Sequence, residues 1–235
     1  MPSRSKHSAT ATAPRGVGAT VATVTAQLEE DIVLGRFHPR QRLVEQDLAE
    51  RFRTHRAVIR EVLANLDRKG LIERIPNRGA AVRDLLPAEV AQIYAVREEL
   101  ELMAGRIIPL PVAPADLAKL EAIQAVHDEA IDAGDLRNVF YSNLEFHRVM
   151  FALCRNPHLT EMIELLAGKV YGVRAYSNTI APYLVKVRKD HHAMLDALRA
   201  GRRDELIDLL RAHLRPSMEA YIAAYDRRFG GGEPT

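Results

Sequence analysis

The sequence predicts a mostly α-helical protein made of a small, basic N-terminal domain and a larger C-terminal helical bundle. Ala, Leu, Arg and Glu dominate the composition, which favours helices. Apolar residues recur at helical spacing along most of the chain, and only two short runs between residues 71 and 84 are β-prone. Positive charge is concentrated at the front: residues 1–84 hold 15 Lys and Arg against 10 Asp and Glu, and the remainder holds 18 against 21. This asymmetry hints at a polyanionic partner for the first part alone.

Composition also excludes several classes of protein. The 235 residues are 47% hydrophobic, which is enough for a packed core, yet no apolar run approaches the roughly 20 residues of a membrane span. Residues 1–19 carry basic side chains but no apolar stretch, so a disordered arm is predicted there rather than a secretory signal. Residues 230–235 are predicted to be a flexible tail. Cys154, the single cysteine, is predicted to be a small buried side chain. We expect a cytoplasmic protein.

The first predicted domain covers residues 20–84 and contains three helices and a hairpin. Its first helix is capped by Thr20 and ended by Gly35, and a second short helix covers residues 44–52, with Val44 facing inward. A third helix starts at residue 56 and ends before Gly70. Two β-prone runs, "LIERI" and "AAVRD", flank the turn "PNRG". This order of elements is that of a winged helix-turn-helix domain.

The start of the third helix carries the side chains that point to DNA. Arg56 and Arg60 are four residues apart, so they share one helical face, opposite Val58 and Leu63. In a helix-turn-helix motif this end of the second helix meets the base edges of the major groove. A guanidinium can donate two hydrogen bonds to guanine or clamp a phosphate. A merely solvated cationic face is the alternative, but the hairpin and the charge of this domain favour double-stranded DNA as the partner.

Residues 85–229 are predicted to form a second, all-helical domain after the linker "DLLPAEV". Six helical segments with short connections indicate an antiparallel bundle, and they cover residues 88–108, 114–135, 136–156, 158–178, 183–201 and 203–229. Gly168 and Gly172 predict a weak point in the fourth segment. Pro216 predicts a kink in the last one.

Three of the nine histidines fall on separate helices of this bundle, at His147, His191 and His213. Asn143 precedes His147 by one helical turn and therefore shares its face. Imidazole nitrogen is a good ligand for Zn, Ni and similar metals. Spacing alone leaves two interpretations open, a metal site inside the bundle or histidines that are simply packed, hydrogen-bonded or exposed.

Residues 35–82 resemble the DNA-binding domain of the GntR family of bacterial transcription regulators. The resemblance lies in the order and spacing of "EQDLA", "RAVIREVL", "GLIE" and the turn "NRG". His55, Ala57, Val58 and Asn77 depart from the residues usual in that family, which leaves the operator sequence open. The resemblance implies DNA contacts by Gln46, Arg56, Ala57 and Arg60, by Arg78 and Gly79 at the wing tip, and less strongly by Arg74.

Residues 88–222 resemble the FCD domain, the helical effector domain of the FadR-type branch of that family. The segments "FHRVMFALCRNPHL" and "DHHAMLDALRAGRRDELIDLLRAHL" carry this resemblance. It implies a small carboxylate effector and a divalent metal ion, Zn or Ni, held by Asn143, His147, His191 and His213. Asn143 stands where the family has Asp or Asn. A neutral amide binds a cation less strongly than a carboxylate, so a metal-free pocket is the alternative.

Two arginines are candidates for binding the effector carboxylate. Arg97 and Arg174 interrupt otherwise apolar helical stretches, and a guanidinium binds a carboxylate through two parallel hydrogen bonds. Tyr141 and Tyr176 are further candidates for the lining of that pocket. The alternative for the arginines is a surface position or an ion pair with Glu98 or Glu101.

These features together predict a homodimeric, effector-responsive transcription regulator that binds a palindromic operator, and they favour a repressor over an activator. One rival is a metal-dependent hydrolase that uses the three histidines. Such an enzyme needs a bound water and a general base. Asp190 is the only carboxylate adjacent in sequence to a candidate ligand, and no nucleophile motif or phosphate-binding loop is present. The other rival is a regulator that senses the metal ion alone. The sequence favours the effector-responsive regulator over both, and it predicts no enzyme activity.

Overall fold

The computed structural model describes residues 20–75 and 79–229. Over these residues the chain forms ten helices and three short strands, in the mostly α arrangement that the sequence predicts. The expectations for the arm at residues 1–19 and the tail at residues 230–235 lie outside the described residues. Within the described ranges, no helix is long and apolar enough to cross a membrane.

Three helices of the N-terminal half surround one apolar core: α1 (Val21–Val33), α2 (Glu45–Arg51) and α3 (Arg56–Arg68). The hydroxyl of Thr20 accepts a hydrogen bond from the backbone N–H of Thr23 and so caps α1, as predicted. Gly35 and Gly70 follow α1 and α3 with φ of +74° and +73°, a left-handed conformation that glycine adopts at least cost. The central residues of this core include Leu28, Ile59, Leu66 and Ile72.

The wing is a three-stranded sheet rather than the two-stranded hairpin expected from the sequence. Strands β1 (Arg42–Leu43), β2 (Ile72–Ile75) and β3 (Gly79–Val82) pair antiparallel in the order β1-β3-β2. Two residues are too few to show an alternating pattern, so β1 escaped prediction. Val44, expected to face inward, is 43% exposed because it is the N-cap residue between β1 and α2.

Seven helices form the C-terminal half, where the sequence predicted six: α4 (Pro87–Ile107), α5 (Pro114–Ala133), α6 (Leu136–Ala152), α7 (Pro157–Lys169), α8 (Tyr171–Ser177), α9 (Ala181–Ala200) and α10 (Arg203–Phe229). The fourth predicted segment divides into α7 and α8 at Val170, whose ψ of 23° departs from helical values. Gly168 and Gly172 flank this break, so the predicted weak point is confirmed. Pro216 lies inside α10 without ending it.

Packing in the bundle brings α6, α9 and α10 around one interior region. Helix α10 packs along α4 and α9, while α5 packs along α6 and α9. Gly105 lets α4 approach α10 closely, since a Cβ there would lie 2.7 Å from Leu210 Cδ1. Cys154 is buried in the same core, as predicted.

Candidate metal centre and nucleic-acid interface

Three imidazoles meet inside the bundle, one from each of α6, α9 and α10. His147 Nε2 lies 3.1 Å from His213 Nε2 and 3.3 Å from His191 Nε2. Ligand nitrogens that bind one ion at about 2.0–2.1 Å are separated by about 3.0–3.4 Å, depending on the coordination geometry. These two distances match nitrogens that share a single ion, and ligand atoms of all three rings lie within 4.8 Å of one another.

Two of these rings are oriented by acceptors behind them. His191 Nδ1 donates to Gln124 Oε1 at 2.8 Å, and His213 Nδ1 donates to Asp190 Oδ2 at 3.0 Å. A proton fixed on Nδ1 leaves the lone pair of Nε2 directed at the centre, which is the form that binds a metal. The Gln124 amide is itself held, because its Nε2 donates to Asp128 Oδ1 at 2.8 Å.

Asn143 supplies a further oxygen to this region of α6. Its side chain is 2% exposed, and its Oδ1 has no hydrogen-bond partner among the described residues. A buried amide oxygen without a donor costs free energy unless something satisfies it. An oxygen and three imidazole nitrogens form a donor set that suits a divalent ion such as Zn or Ni.

Burial keeps the three histidines in their neutral form. It lowers the pKa of His147 and of His191 well below the ordinary value, and the positive charges nearby act in the same direction. Burial also lowers the pKa of His213, although the hydrogen bond and charge of Asp190 oppose it. Neutral imidazole is the form that coordinates a metal, so the site needs little proton loss before it binds one near pH 7.

A cavity of about 250 Å³ lies beside His147, between α4, α6, α7 and α8. Arg97 and Arg174, the two arginines singled out in the sequence, both line it. Both are buried, with exposures of 0% and 5%. The structure thus places both predicted carboxylate-binding arginines in a cavity that His147, one of the predicted metal ligands, also lines. Tyr141 lines it as well.

The charge in this cavity is only partly balanced. Arg97 donates to Glu101 Oε1 at 2.7 Å, the ion pair that the sequence left as an alternative, but its Nε and Nη1 have no partner among the described residues. Arg174 has no ion pair with any residue that the structure describes. Burial and the charge of Arg97 lower the pKa of Arg174, yet a guanidinium stays protonated. A buried, unpaired cation favours an anionic ligand.

Some site residues lie elsewhere or were missed. Tyr176, predicted to line the effector pocket, borders a different cavity, because its side chain leaves α8 on the opposite face from Arg174. Gln124 was missed because no local pattern marks a glutamine that reaches a histidine 67 residues away in sequence. His192, which directly follows the candidate ligand His191, is exposed and pairs with Asp128.

The predicted recognition helix presents its arginines to solvent. The side chains of Arg56 and Arg60 in the first turns of α3 are 57% and 62% exposed. Ala57 and Gln46 are exposed beside them. Buried residues such as Leu63 anchor the opposite face of α3 in the core, so the face that would meet a groove is free.

Glu45 in the first turn of α2 contacts both arginines, a partner that sequence reasoning missed. Its Oε2 accepts from Arg60 Nε at 3.0 Å and from Arg56 Nη2 at 3.4 Å. Burial would raise the pKa of this carboxyl, but the hydrogen bonds and charges of the arginines outweigh it and lower the pKa. The arginines are therefore held in place while they remain accessible.

The wing supplies the remaining predicted contacts. Arg74 on β2 is exposed and donates to the backbone oxygen of Arg60 at 3.3 Å, which places it beside α3. Gly79 begins β3 with φ of +86°, a conformation suited to a tight wing turn. The prediction for Arg78 lies outside the described residues.

Comparison with known proteins matches both halves of the chain. A family profile described as "FCD domain" matches residues 92–216, and one described as "Bacterial regulatory proteins, gntR family" matches residues 20–82. The HTH-type transcriptional regulator McbR of Escherichia coli (strain K12) is 25% identical over 211 residues, which cover 87% of this chain and 96% of McbR.

A second relative and a solved structure agree with this match. The "Probable D-xylose utilization operon transcriptional repressor" of Paenarthrobacter nicotinovorans is 26% identical and covers 90% of this chain and 93% of its own length. The solved structure of E. coli McbR/YncC has a TM-score of 0.76 at 24% identity, over 89% of this chain and 100% of that chain. The fold is therefore shared along nearly the whole length of both proteins.

Proposed function

Because the chain belongs to the GntR family of bacterial transcription regulators and carries an FCD domain, we propose that it is a homodimeric repressor controlled by a small organic acid. The family consists of DNA-binding regulators, not of enzymes, which removes the hydrolase interpretation. Its N-terminal domain binds DNA, and FCD domains bind small-molecule effectors. We assign these roles to residues 20–84 and 85–229 and expect the protein in the cytoplasm, where its operator is.

The proposed metal site consists of His147, His191, His213 and Asn143. FCD domains are often metal-binding, and the mutual approach of three Nε2 atoms within this chain is the observation that carries the proposal. Zn or Ni fits the nitrogen-rich donor set. When bound, such an ion supplies an open coordination position for an effector carboxylate.

The proposed effector is a small carboxylate that lies in the cavity of about 250 Å³ beside the histidines. Arg174 lacks an ion pair within the described part of the chain, and Arg97, whose Nε and Nη1 have no partner among the described residues, lines the same cavity. A carboxylate there satisfies both guanidiniums. These buried cations favour an organic effector over the interpretation in which the metal ion is sensed alone.

Removal of one imidazole tests the metal site. His191→Ala should lower the metal content measured by elemental analysis and weaken the effect of small organic acids on DNA binding. DNA affinity without effector should stay close to wild type because α3 lies in the other half of the chain. His158→Ala, which removes an exposed histidine at the start of α7, is the matched control. Full metal content and an unchanged effector response in His191→Ala would refute the proposed site.

The proposed DNA contacts are those of α3, α2 and the wing: Gln46, Arg56, Ala57, Arg60, Arg74, Arg78 and Gly79. Arg56→Ala or Arg60→Ala should cost about 1–3 kcal/mol of specific binding if each arginine reads a guanine. Fluorescence anisotropy at fixed salt on a selected operator measures this loss. Arg202→Ala removes the same charge from the far end of the bundle and should leave binding unchanged.

Support for a homodimer comes from an apolar stripe on α4. Val96, Leu100, Met103 and Ile107 recur at helical spacing, and three of them are more than 40% exposed. An exposed stripe of this kind suits a symmetric contact with a second copy. Two copies related by a twofold axis present two recognition helices to a palindromic operator. Repression is the activity named for the relative from Paenarthrobacter nicotinovorans, and we extend it to this chain.

A further inference from the structure

A second, larger cavity lies at the junction between the two halves of the chain. Its volume is about 610 Å³, within the range of small-molecule sites. One wall is formed by the end of α1, the loop after it and the linker at residues 82–85. The facing wall is formed by α6, α8 and the last turns of α10. A molecule bound here would touch the DNA-binding half, the effector half and the linker together.

The walls of this junction cavity are mainly apolar. Phe37 and Leu71 contribute from the N-terminal half, and Leu136, Phe140 and Val173 contribute from the bundle. Leu136 is 40% exposed, so part of this lining is left uncovered by the protein itself. An apolar molecule would gain free energy by covering such surface.

One buried polar group in the cavity wall lacks a partner. Asn178, which follows α8, is 3% exposed, and its Nδ2 has no hydrogen-bond acceptor among the described residues. An unsatisfied buried donor is rare in folded proteins. A ligand oxygen that reaches Asn178 would remove this cost and would fix the orientation of an otherwise apolar molecule.

The rim of the cavity carries a surplus of positive charge. Arg83 and Asp84 are already paired, with Glu89 and Arg40 respectively. The other charged lining residues are Lys169, Arg227 and Arg228, and none of them forms an ion pair over residues 20–75 and 79–229. Three unbalanced cations beside an apolar space suit a ligand with one acidic end.

We propose that the junction cavity binds an amphipathic monocarboxylic acid with an aliphatic or aromatic body. The acid group lies against the cationic rim, the body lies against Phe140 and Val173, and an oxygen accepts from Asn178. This site shares no lining residue with the cavity beside the histidines. It is therefore a separate site from the proposed metal and effector site.

Helix α8 can couple the junction cavity energetically to the cavity beside the histidines. Tyr171 and Arg174 line the cavity beside the histidines, while Gly172, Val173 and Tyr176 line the junction cavity. The seven-residue helix therefore separates the two spaces. A ligand that moves α8 alters the binding energy on its other side, and by linkage the reverse also holds.

Octanoate is the probe for a direct test, with octan-1-ol as the uncharged comparison. Isothermal titration calorimetry on the full chain should show binding of octanoate and weaker binding of the alcohol. Gly172→Phe should weaken octanoate binding by about tenfold or more, because a side chain at Gly172 meets open space in the cavity rather than protein atoms.

Gly168→Phe is the matched control, since Gly168 is also helical and open but does not line the junction cavity. Retained binding in Gly168→Phe and in His191→Ala, with loss in Gly172→Phe, supports the proposal and separates it from the metal site. Absence of octanoate binding to wild type, or equal loss in both glycine variants, overturns it. Binding that emerges only after removal of residues 230–235 also overturns it, because the chain's own tail is then the occupant.

Discussion

At the scale of single residues, Asp190 has the clearest supporting role in the candidate metal centre. It accepts hydrogen bonds from His213 Nδ1 at 3.0 Å and from Lys186 Nζ at 2.5 Å. Burial would raise the pKa of its carboxyl, but these hydrogen bonds outweigh burial and lower the pKa, so the group stays ionised near neutral pH. An ionised acceptor behind an imidazole fixes the ring and makes its other nitrogen more basic.

Asp190→Asn should therefore weaken metal binding by about 10- to 100-fold while the three imidazoles remain present. Competition with a chromogenic chelator measures the affinity. Asp196→Asn makes the same change on an exposed position of α9 and serves as the control. Equal affinities in the two variants would show that Asp190 does not support the site.

Glu45 gives a prediction for the DNA-binding surface. Its carboxylate competes with phosphates for Arg56 and Arg60, and an exposed ion pair is worth up to about 1 kcal/mol. Glu45→Gln should tighten binding to non-specific duplex by up to about fivefold. Glu121→Gln changes the charge equally on α5 and controls for the overall charge. Weaker binding in Glu45→Gln would mean that the contact orders the arginines for recognition.

Individual site residues differ in how far the sequence could reveal them. His147, His191 and His213 fall on three helical patterns, and the resemblance to the FCD domain groups them as one set of ligands. Gln124 could not be found in that way, because its role depends on where α5 packs against α9. The side of α8 from which Tyr176 points depends likewise on the break at Val170, which a helical repeat alone does not locate.

At the scale of elements, helices were predicted well where an apolar stripe and a terminal signal coincide. Thr20 and Gly35 bracket α1, and Gly70 follows α3. The misses are the shortest elements, β1 and α8. Strand β1 has two residues and pairs with β3, and α8 has seven residues and packs against α10. Both elements depend on these neighbours for their stability. The pairing of β1 leaves no local pattern in the sequence, whereas Gly168 and Gly172 mark the break before α8 but not the separate helix that follows it.

The contact between α4 and α10 yields a stability prediction at the same scale. A larger side chain at Gly105 would press on Leu210 and Ile207, whose Cδ1 atoms lie 2.7 and 3.0 Å from the Cβ position. Gly105→Val should lower the free energy of unfolding by about 1–3 kcal/mol, as overpacked cores do. Gly168→Val, at a helical site with open space, is the control in urea denaturation. Equal stability of both variants would show that α4 and α10 can move apart at Gly105 without a cost in stability.

At the scale of the whole molecule, the order of the two halves was predictable but their mutual placement was not. Three ion pairs tie the halves and the linker: Arg40–Asp84 at 2.7 Å, Arg137–Glu30 at 2.9 Å and Arg83–Glu89. Each ion pair joins side chains on different elements. Because charged residues are common along the chain, the sequence does not show which of them pair. The junction cavity follows from the same placement and was therefore invisible to sequence analysis.

The proposed homodimer makes a prediction for the whole molecule. Met103→Glu introduces a charge in the middle of the stripe formed by Val96, Leu100, Met103 and Ile107, where it would be buried without a partner. The variant should elute as a monomer in size-exclusion chromatography with light scattering, and it should lose affinity for a palindromic operator. Val185→Glu, on an isolated exposed side chain of α9, should remain dimeric. A dimeric Met103→Glu would place the interface elsewhere.

The burial of the three imidazoles has a consequence for the timing of ligand entry and exit. His147, His191 and His213 are at most 6% exposed, and His147 borders the cavity of about 250 Å³ that also holds Arg97 and Arg174. A metal ion would enter and leave through this cavity, so an acid bound to the arginines would slow dissociation of the ion. Binding is then ordered, with the metal ion first and the acid second. Chelators should remove the ion more slowly when the acid is present. Mixing the components in the two orders should give different half-times for occupancy.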